Sequence, residues 1–485
     1  MNRLVASLAV VCCCFSLAQG QESPTLRPAQ QAAIERVEAR ADEIKAVNRA
    51  VWNFAEVGLQ EHKSAALYVE KLKAAGFKVE TGVAGMPTAF VAEYGSGQPI
   101  IGILAEYDAL PGLSQKAAPY REPVEAGAAG HACGHSGLGA AAFGGAVAVK
   151  ETMERFGLKG TVRLYGTPAE ETGIGKVYMQ LAGVFDDLDV CLHWHPATKN
   201  EVHWSNSSKA LVSIKFTFHG TAAHASVSPE SGISALDAVE LMNVGVQYLR
   251  EHVREDARIH HVITDGGGQP NVVPARAEVW YYVRADRHED AEKYVERVKE
   301  IAQGAALMTR TKLDVRVDTD NHELIENQPL AQLCLKNLEL IGPTKFTEEE
   351  MAFARRCQEP LAEAFGKRFS VALEEHIRPL TPGREARGST DVGDISWHVP
   401  TGGFRTVCFP AEAPGHSWQN VASIGSSIGE KGTIYAAKVF AVTTIDLLED
   451  PGLIAAAKAD HQERMKGRNY TSLVPKGQKP PVSIR

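Results

Sequence analysis

The spacing of hydrophobic residues switches repeatedly between a helical and a strand period. Apolar side chains recur every three or four positions across 29–52, as in an amphipathic helix. The same spacing across 62–75 stops at Gly76, a residue type common just after a helix. Short apolar runs of strand length lie at 90–94, 100–104, 162–165 and 190–192. Because a helical stretch at 138–156 interrupts them, this order predicts an α/β fold with a mixed sheet covered by helices.

Between about residues 210 and 320 the pattern changes to a strand, a helix, two strands, a helix and a strand. These predicted elements lie at 211–218, 234–252, 257–264, 275–285, 289–308 and 312–317. Their sequence is the ferredoxin-like order. It predicts an α+β domain at 210–320, inserted into a first domain made of 29–209 and 321–465. The tail at 466–485 is rich in Pro, Lys and Ser, and we expect it to be loose.

The first twenty residues are typical of a secretory signal peptide. Arg3 supplies a positive charge, residues 4–17 carry none, and Ala18-Gln19-Gly20 fits a small-residue cleavage site. We therefore expect export to the periplasm or the extracellular space. Cleavage would remove three of the eight cysteines. The remaining five are an odd number at wide spacing, which is not the pattern of a disulfide framework.

The amino-acid composition excludes several classes of protein. The 485 residues are 44% hydrophobic and 23% charged, as in ordinary globular domains. The formal net charge of −8 argues against nucleic acid as the main partner, because phosphate binding requires a basic face. Beyond the first twenty residues there is no run of eighteen apolar residues, so the sequence predicts no membrane span.

A glycine-rich turn from Gly130 to Gly137 contains the first candidate for chemistry. Cys133 and His135 lie two positions apart in it. A thiolate and an imidazole at this spacing can face one ion, and the pair suits zinc. A buried cysteine beside a helix-capping loop is the alternative interpretation.

Carboxylates follow two of the predicted strands. Glu170 and Glu171 come just after the strand at 162–165. Adjacent carboxylates at the carboxyl end of a strand suit a metal ligand beside a general base. An acidic helix N-terminus, stabilised by the helix dipole, is the alternative. Asp108 ends another strand, where it could orient a ligand histidine or cap a turn.

Histidines complete the candidate set. On a strand, Cys191, His193 and His195 share one face, and Pro196 follows them. Two histidines at a strand end favour a ligand role for one of them. His416 lies in a Pro-Gly-His-Ser-Trp segment more than two hundred residues later, where a single histidine would be unremarkable on its own.

The order of these motifs resembles that of one enzyme family. HACGH, PAEE, the His-Pro strand end, GTAAHAS, PNVVP and PGHSW occur in the order of the di-metal aminoacylases and carboxypeptidases, family twenty of the metallopeptidases. The likeness spans about residues 51–448. LAEYDALPG, GSTDVGDISW and GHSWQ are most similar to the p-aminobenzoyl-glutamate hydrolase B-like branch of that family. The resemblance implies a mixed-sheet di-metal peptidase catalytic domain with an inserted ferredoxin-like dimerisation domain.

The resemblance also implies a role for each candidate in the first domain. The residues that match ligands of two divalent ions, zinc or manganese, are Cys133, His135, Glu171, His195 and His416. His193 is the alternative to His195 in this set. Glu170 matches the general base. Asp108 is the candidate that would orient a metal-binding histidine without touching the metal itself.

Three residues of the inserted domain match family positions as well. His224 matches a histidine that reaches the active site of the other subunit, and Asn271 and Arg284 match groups that help to hold substrate. The implied assembly is a homodimer or a heterodimer with a homologous subunit. The implied substrate is an N-acyl or N-aroyl amino acid, with p-aminobenzoyl-glutamate leading. A dipeptidase, a subunit that needs a partner for activity, a non-catalytic binding protein and a structural zinc protein are the alternatives.

Overall fold

The computed structural model describes residues 25–202, 208–381 and 387–482. The predicted signal peptide at 1–20 lies outside the described residues. Within those ranges, no helix is both long and apolar enough to cross a membrane. The five cysteines in the same part of the chain are all free thiols.

The first half of the chain begins with three helices, continues with three strands, and then alternates helices with strands. In order, they are α1 (Pro28–Ala39), α2 (Ala41–Phe54), α3 (His62–Ala74), β1 (Lys78–Thr81), β2 (Phe90–Ser96), β3 (Ile100–Ala105), α4 (His135–Phe156), β4 (Gly160–Gly166), α5 (Gly175–Leu181) and β5 (Val190–Ala197). The single helix predicted at 29–52 is in fact two, because Arg40 leaves helical geometry with φ −103° and ψ 7°. Its guanidinium binds Glu43 of α2 and Glu151 of α4 instead.

The second half begins with the inserted unit and returns to the first domain. The elements are β6 (Ala210–His219), α6 (Ala235–Leu249), β7 (Arg258–Asp265), β8 (Arg276–Ala285), α7 (His288–Thr309), β9 (Lys312–Asn321), α8 (Gln328–Ile341), α9 (Glu348–Phe365), α10 (Val392–Ser396), β10 (Thr401–Val407), α11 (Trp418–Ile424), α12 (Ser427–Glu449) and α13 (Pro451–Arg464).

The larger sheet has the strand order β1-β2-β4-β3-β5-β10 in the described residues. β4, β3, β5 and β10 run parallel, whereas β2 pairs antiparallel with both β1 and β4. α4 and α12 lie side by side against this sheet, with Phe143 and Phe440 buried between the layers. The predicted mixed sheet covered by helices is confirmed.

The smaller sheet has the order β7-β8-β6-β9, and every neighbouring pair is antiparallel. Alternate residues of β8 are buried, as expected for a strand that packs one face on helices. α6 and α7 cover that face. Numbered along this unit, the strands lie in the order second, third, first, fourth, so the ferredoxin-like prediction is confirmed.

The segment 466–482, which composition predicted to be loose, packs against both the first domain and the inserted unit. The Tyr470 hydroxyl donates to Asp394 of α10 over 2.9 Å. The Leu473 amide donates to Asp320 of β9 over 2.6 Å. The segment therefore ties the inserted unit to the first domain through two buried carboxylates. Composition alone gave no sign of these hydrogen bonds, because their partners lie far away in the sequence.

Candidate metal centre and active site

The carboxyl ends of four parallel strands meet at one edge of the larger sheet, and most of the candidate residues lie there. They are Glu106 and Asp108 after β3, Glu170 and Glu171 after β4, His195 near the end of β5, and His416 after β10. Ligand sites of open α/β sheets form at this edge, because several loops converge there.

A tight turn before α4 presents Cys133 and His135 to the same edge. Gly134 between them has φ +86°, in the left-handed region that favours glycine. A Cβ at this position would also lie 2.9 Å from Phe409 and 3.0 Å from Pro196. The turn therefore requires glycine, and it lets the two side chains enter one space.

The Cys133 thiol lies against His195. Its Sγ is 3.2 Å from Nε2 of His195, whereas Nδ1 of that ring is 2.7 Å from the carbonyl oxygen of Pro196. Since a carbonyl only accepts, Nδ1 donates, and Nε2 keeps a free lone pair. Desolvation and the nearby His135 lower the pKa of His195 to about 3. The imidazole is therefore neutral, as a metal ligand must be.

Asp108 fixes the orientation of His135. Nδ1 of the ring is 2.8 Å from Oδ1 of Asp108, and Oδ2 accepts the amide of Glu171 over 2.9 Å. His135 is fully buried, and its Nε2 has no hydrogen-bond partner among the described residues. Because Nδ1 faces a carboxylate, Nε2 is the nitrogen left to bind an ion. Asp108 thus contacts the ring nitrogen of a candidate ligand histidine, as the sequence predicted.

Two groups of donor atoms share the Cys133 sulfur. One contains Cys133, His135 and His195, and the other contains Cys133, Glu171 and His416. Within each group the donor atoms lie within 4.8 Å of one another. Nε2 of His416 is 3.4 Å from Oε2 of Glu171. The structure thus brings together the five residues that the sequence suggested as ligands.

His193, the alternative to His195, belongs to neither group. Its ring packs against Gly403 of β10, where a Cβ would come within 2.0 Å of the ring Nε2. Desolvation lowers the pKa of His193 to about 4. The structure therefore places His195, and not His193, against the Cys133 thiol.

This donor set fits divalent transition-metal ions. Thiolate, imidazole and carboxylate are the ligand types of protein zinc sites. Two buried donor atoms, Nε2 of His135 and Oε1 of Glu171, have no hydrogen-bond partner in the part of the chain that the structure describes. Leaving a buried polar atom unpaired costs roughly 1–3 kcal/mol. Bound cations would supply the missing partners, so the residues fit the metals that the sequence implied.

Glu170 stands beside these two groups without belonging to either. Its Oε2 is 3.8 Å from Nε2 of His135, and its side chain is 11% exposed. Burial and the nearby Glu106 raise the pKa of the Glu170 carboxyl well above its ordinary value. A carboxyl group with a raised pKa can accept and return a proton near neutral pH.

A buried glutamate that no motif marked supports the turn before Glu170. Ala169 has φ +58°, and its amide donates to Oε1 of Glu61 over 2.8 Å. The Thr88 hydroxyl donates to the other oxygen over 3.0 Å. Burial and the charge of Asp108 raise the pKa of Glu61 to about 8. Glu61 therefore secures a left-handed turn that positions the candidate base.

Three more charged residues that no motif marked lie next to the donor atoms. Lys176 is completely buried, and its Nζ is 2.7 Å from Oε1 of Glu106 and 2.6 Å from Oδ1 of Asp391. Oε2 of Glu106 is 3.3 Å from Nε2 of His135. A lysine in a helical stretch gives no sequence sign of burial, since most lysines are exposed.

The site opens into a cavity of about 1030 Å³. Arg284 of β8 lines it, and its Nη1 donates to the Ser389 hydroxyl over 2.9 Å. His224 and Asn271 do not line this cavity, because they lie exposed on neighbouring loops of the inserted unit. The structure thus separates Arg284 from the other two residues that the resemblance assigned to the inserted domain.

The stretch after α9, which had no assigned role from sequence, forms part of the cavity wall. Glu374, His376 and Arg378 line the cavity. The Glu374 carboxylate lies 3.4 Å from Nε2 of His376 and 3.0 Å from Nη2 of Arg378. The Arg378 amide donates to the carbonyl of Asn200 over 2.9 Å, which attaches the stretch to the chain just after β5.

The chain matches known proteins over nearly its whole length. Residues 206–308 match the peptidase dimerisation domain family. The chain is 39% identical to the B-type subunit of p-aminobenzoyl-glutamate hydrolase from Escherichia coli K12 over 453 residues, which cover 89% of this chain and 94% of that protein. It is 27% identical to the Xaa-Arg dipeptidase of Mus musculus over 90% of this chain and 92% of that protein.

A solved structure shares the fold. The dinuclear metal binding peptidase of the M20 family from Bacillus subtilis matches with a TM-score of 0.53 and 19% identity, over 85% of this chain and 99% of that one. The dimerisation-domain match and the 39% identity to the Escherichia coli hydrolase extend this likeness to the sequence. The chain therefore belongs to the M20 peptidase family and is a hydrolase of amide bonds.

Proposed function

We propose that this protein hydrolyses the amide bond of an N-acyl or N-aroyl amino acid, with p-aminobenzoyl-glutamate as the leading substrate. The position of Glu170 carries the proposal. Its carboxylate lies 3.8 Å from His135 and beside two donor groups that Cys133 joins. The name of the Escherichia coli relative supports the choice of substrate.

The mechanism rests on the transfer of one proton by Glu170. When bound, two divalent ions polarise the scissile carbonyl and lower the pKa of a water to roughly 7. Glu170 accepts the proton of the attacking water, and its raised pKa allows it to hold that proton. It then delivers the proton to the leaving nitrogen, so that the amino acid departs as an amine.

Arg284 is placed to orient the substrate. Its guanidinium lies over the Tyr282 ring, 5.5 Å from the centroid, and donates to Ser389. Nε of Arg284 is buried without a hydrogen-bond partner in the described ranges. A carboxylate on the amino-acid part of the substrate would satisfy it, because guanidinium and carboxylate geometries match. Arg284 therefore sets the direction in which the amide reaches Glu170.

Zinc is the metal that we propose. Cys133 lies in both donor groups, and a thiolate favours zinc over manganese. Elemental analysis of the purified protein, followed by reconstitution with each metal separately, tests this choice. Higher activity and tighter binding with manganese would reverse it.

We also propose that the inserted unit forms a dimer. Its edge strand β7 exposes Val262 and Ile263, and α6 exposes Val244 and Tyr248. Apolar side chains on an uncovered strand edge are typical of a surface that pairs. In such a dimer His224 of each subunit would reach the cavity of the other and donate to the oxygen of the scissile carbonyl. A second copy or a homologous subunit fits this surface, and the activity of the purified chain alone decides between them.

Export is the remaining part of the proposal. The charge of Arg3, the uncharged run at 4–17 and the small-residue end at Gly20 support a signal peptide. Determining the N-terminal sequence of the protein from a cell fraction tests it, and an intact Met1 in the cytoplasmic fraction would contradict it.

A dipeptidase of the same family is the second candidate. Glu374 lines the cavity and is only 11% exposed, so it could bind the free amine of a dipeptide. The mouse relative is named a dipeptidase. In the proposed hydrolase Glu374 instead holds Arg378 and His376.

One assay separates the candidates. The mature chain, loaded with zinc or manganese, is incubated with p-aminobenzoyl-glutamate, N-acetyl and N-aroyl amino acids, and dipeptides that end in Arg or Glu. Release of amino acid from the acylated substrates only, lost in Glu170→Gln, supports the proposal. A preference for free-amine dipeptides, lost in Glu374→Gln, supports the dipeptidase. A folded, metal-loaded dimer that is inactive on both sets would point to a required second subunit.

A further inference from the structure

Glu106 faces the donor atoms of the site although it belongs to neither of the two groups that share Cys133. Its Oε2 is 3.3 Å from Nε2 of His135, and the residue is 4% exposed. Carboxylate oxygens of Glu106 and Glu170 and a nitrogen of His135 form a third set of donors within 4.8 Å of one another. Glu106 therefore approaches the same nitrogen that is left free to bind an ion.

The contact between Glu106 and His135 is not a hydrogen bond. Nδ1 of His135 already faces Asp108 at 2.8 Å, and Nε2 has no partner with hydrogen-bond geometry in the described part of the chain. In the neutral ring that a metal ligand requires, a lone pair on Nε2 aimed at a carboxylate oxygen would be repulsive with nothing between them. A cation bound by both atoms removes that repulsion.

The separation between Glu106 and His135 matches that of two ligands around one ion. Bonds of about 2.0–2.1 Å to a tetrahedral zinc place two nitrogen or oxygen ligands about 3.4 Å apart. Oε2 of Glu106 and Nε2 of His135 are 3.3 Å apart. Oε2 of Glu106 and Nε2 of His135 can therefore bind the same ion.

A buried ion pair aims Glu106 at this point. Oε1 of Glu106 accepts from Lys176 over 2.7 Å, and Lys176 is held from the other side by Asp391 over 2.6 Å. The Lys176 amide also donates to Asp391 over 2.9 Å. With one oxygen held by the ammonium, the second oxygen faces Nε2 of His135.

We propose that Glu106 is a further metal ligand, whose Oε2 binds the same ion as Nε2 of His135, and that Lys176 and Asp391 position it. This inference rests on the proposed metal-dependent function. It assigns a role to a carboxylate that the sequence motifs left without one.

Metal affinity measured against a competing chelator tests the inference. In Glu106→Gln we expect one of the two zinc ions to bind at least about tenfold more weakly, a loss typical of altered ligand shells. The absorption spectrum of the cobalt-substituted variant should change as well. Glu323→Gln is the matched control, because Glu323 is also 4% exposed and accepts from a cation, Arg468, away from the site. The control should bind both ions as the wild type does.

A structure of the zinc-loaded wild-type chain keeps the inference testable if Glu106→Gln does not fold. We expect a Glu106 oxygen about 2.0–2.2 Å from one ion. An ion held by Cys133, His135 and His195 with Glu106 beyond bonding distance would overturn the inference. Unchanged zinc affinity and cobalt spectrum in a folded Glu106→Gln would do the same. Only a wild-type chain that binds no metal would also overturn the proposed function.

Discussion

Two regions of the molecule offer groups for catalysis, and they lie in opposite environments. At the edge of the larger sheet, His135 and Glu106 are buried among other donors within a few ångströms of one another. On the loops of the inserted unit, His224 and Asn271 are exposed and lie outside the cavity. The first region is complete within one chain, whereas the second can act only where another surface approaches it.

This difference teaches what each region depends on. Burial makes the strand-end cluster sensitive to the loss of any single charge, because each donor is held by another protein group. The exposed loops depend on assembly instead, since water surrounds them in the single chain. Substitutions in the cluster should therefore act within one subunit, and substitutions in the loops should act between subunits.

The largest expected effect is at Glu170. Glu170→Gln removes the group that accepts the proton, and such groups contribute about 10²–10⁴-fold to the rate. We expect kcat to fall by that factor while two metal ions stay bound, measured by steady-state kinetics and elemental analysis. Glu171→Gln is the contrasting variant, because Glu171 belongs to a donor group and should lose metal. Loss of metal in Glu170→Gln with metal retained in Glu171→Gln would exchange the two roles.

The next effect concerns the shared thiol. Cys133→Ser should weaken the binding of both ions, each by at least about tenfold, because its sulfur belongs to both donor groups. Chelator competition measures this. Cys357→Ser, at a buried cysteine of α9, should lower the melting temperature without changing metal affinity. If Cys133→Ser weakens the binding of only one ion, the thiol is a ligand in only one of the two donor groups.

The exposed region is tested by mixing subunits. His224→Ala and Glu170→Ala should each be nearly inactive alone if the site is shared. Random mixing of equal amounts should restore about a quarter of the wild-type sites, because half of the dimers are mixed and each has one intact site. Activity is assayed after the presence of mixed dimers has been confirmed by mass spectrometry. Mixed dimers without recovered activity would mean that His224 acts in its own subunit or not at all.

The smallest effect is a change of stability with pH. The folded state raises the pKa of Glu61 from 4.5 to about 8, through burial and the charge of Asp108. The stability that protonated Glu61 contributes is fully present below about pH 4.5 and is lost as the pH rises through about 8. Relative to Glu61→Gln, the unfolding free energy of the metal-free wild type should fall by up to about 1.4 kcal/mol per pH unit in that window.

Denaturant unfolding of both chains between pH 5 and pH 8 checks this. Glu56→Gln is the control, since Glu56 accepts from Ser64 at the start of α3, close to Glu61 in the chain but away from the turn at Ala169. Parallel curves for the wild type and Glu61→Gln would show that Glu61 does not bind its proton more tightly on folding.

Sequence predicts what local patterns determine. Every helix and strand of the inserted unit was predicted in the right order and within four residues of its observed ends, because alternating strands such as β8 and amphipathic helices such as α7 have clear periods. The ligand candidates were also visible, since strand ends and glycine turns mark Cys133, His135 and Glu171 in the chain. The boundary at Arg40 was not visible, because its ion-pair partner Glu151 lies more than a hundred residues away.

The supporting charges could not be predicted for the same reason. Lys176 looks like an ordinary helical lysine until folding places it between Glu106 and Asp391, which lie in different parts of the chain. Glu61 likewise precedes a helix and gives no sign that it will hold the amide of Ala169. Tertiary contacts of this kind, and not the identity of the residues, give these side chains their roles.

The segment 466–482 matters when a gene is assigned to this enzyme class by its sequence motifs alone. Every motif of the active site, from the HACGH turn to His416, is encoded before this segment begins. A reading frame that stopped after residue 465 would therefore keep the complete set of motifs. Its product would lack Tyr470 and Leu473, which bind Asp394 of α10 and Asp320 of β9. An open reading frame can thus contain every catalytic signature and still encode an enzyme that lacks two of the hydrogen bonds by which this segment joins its two domains.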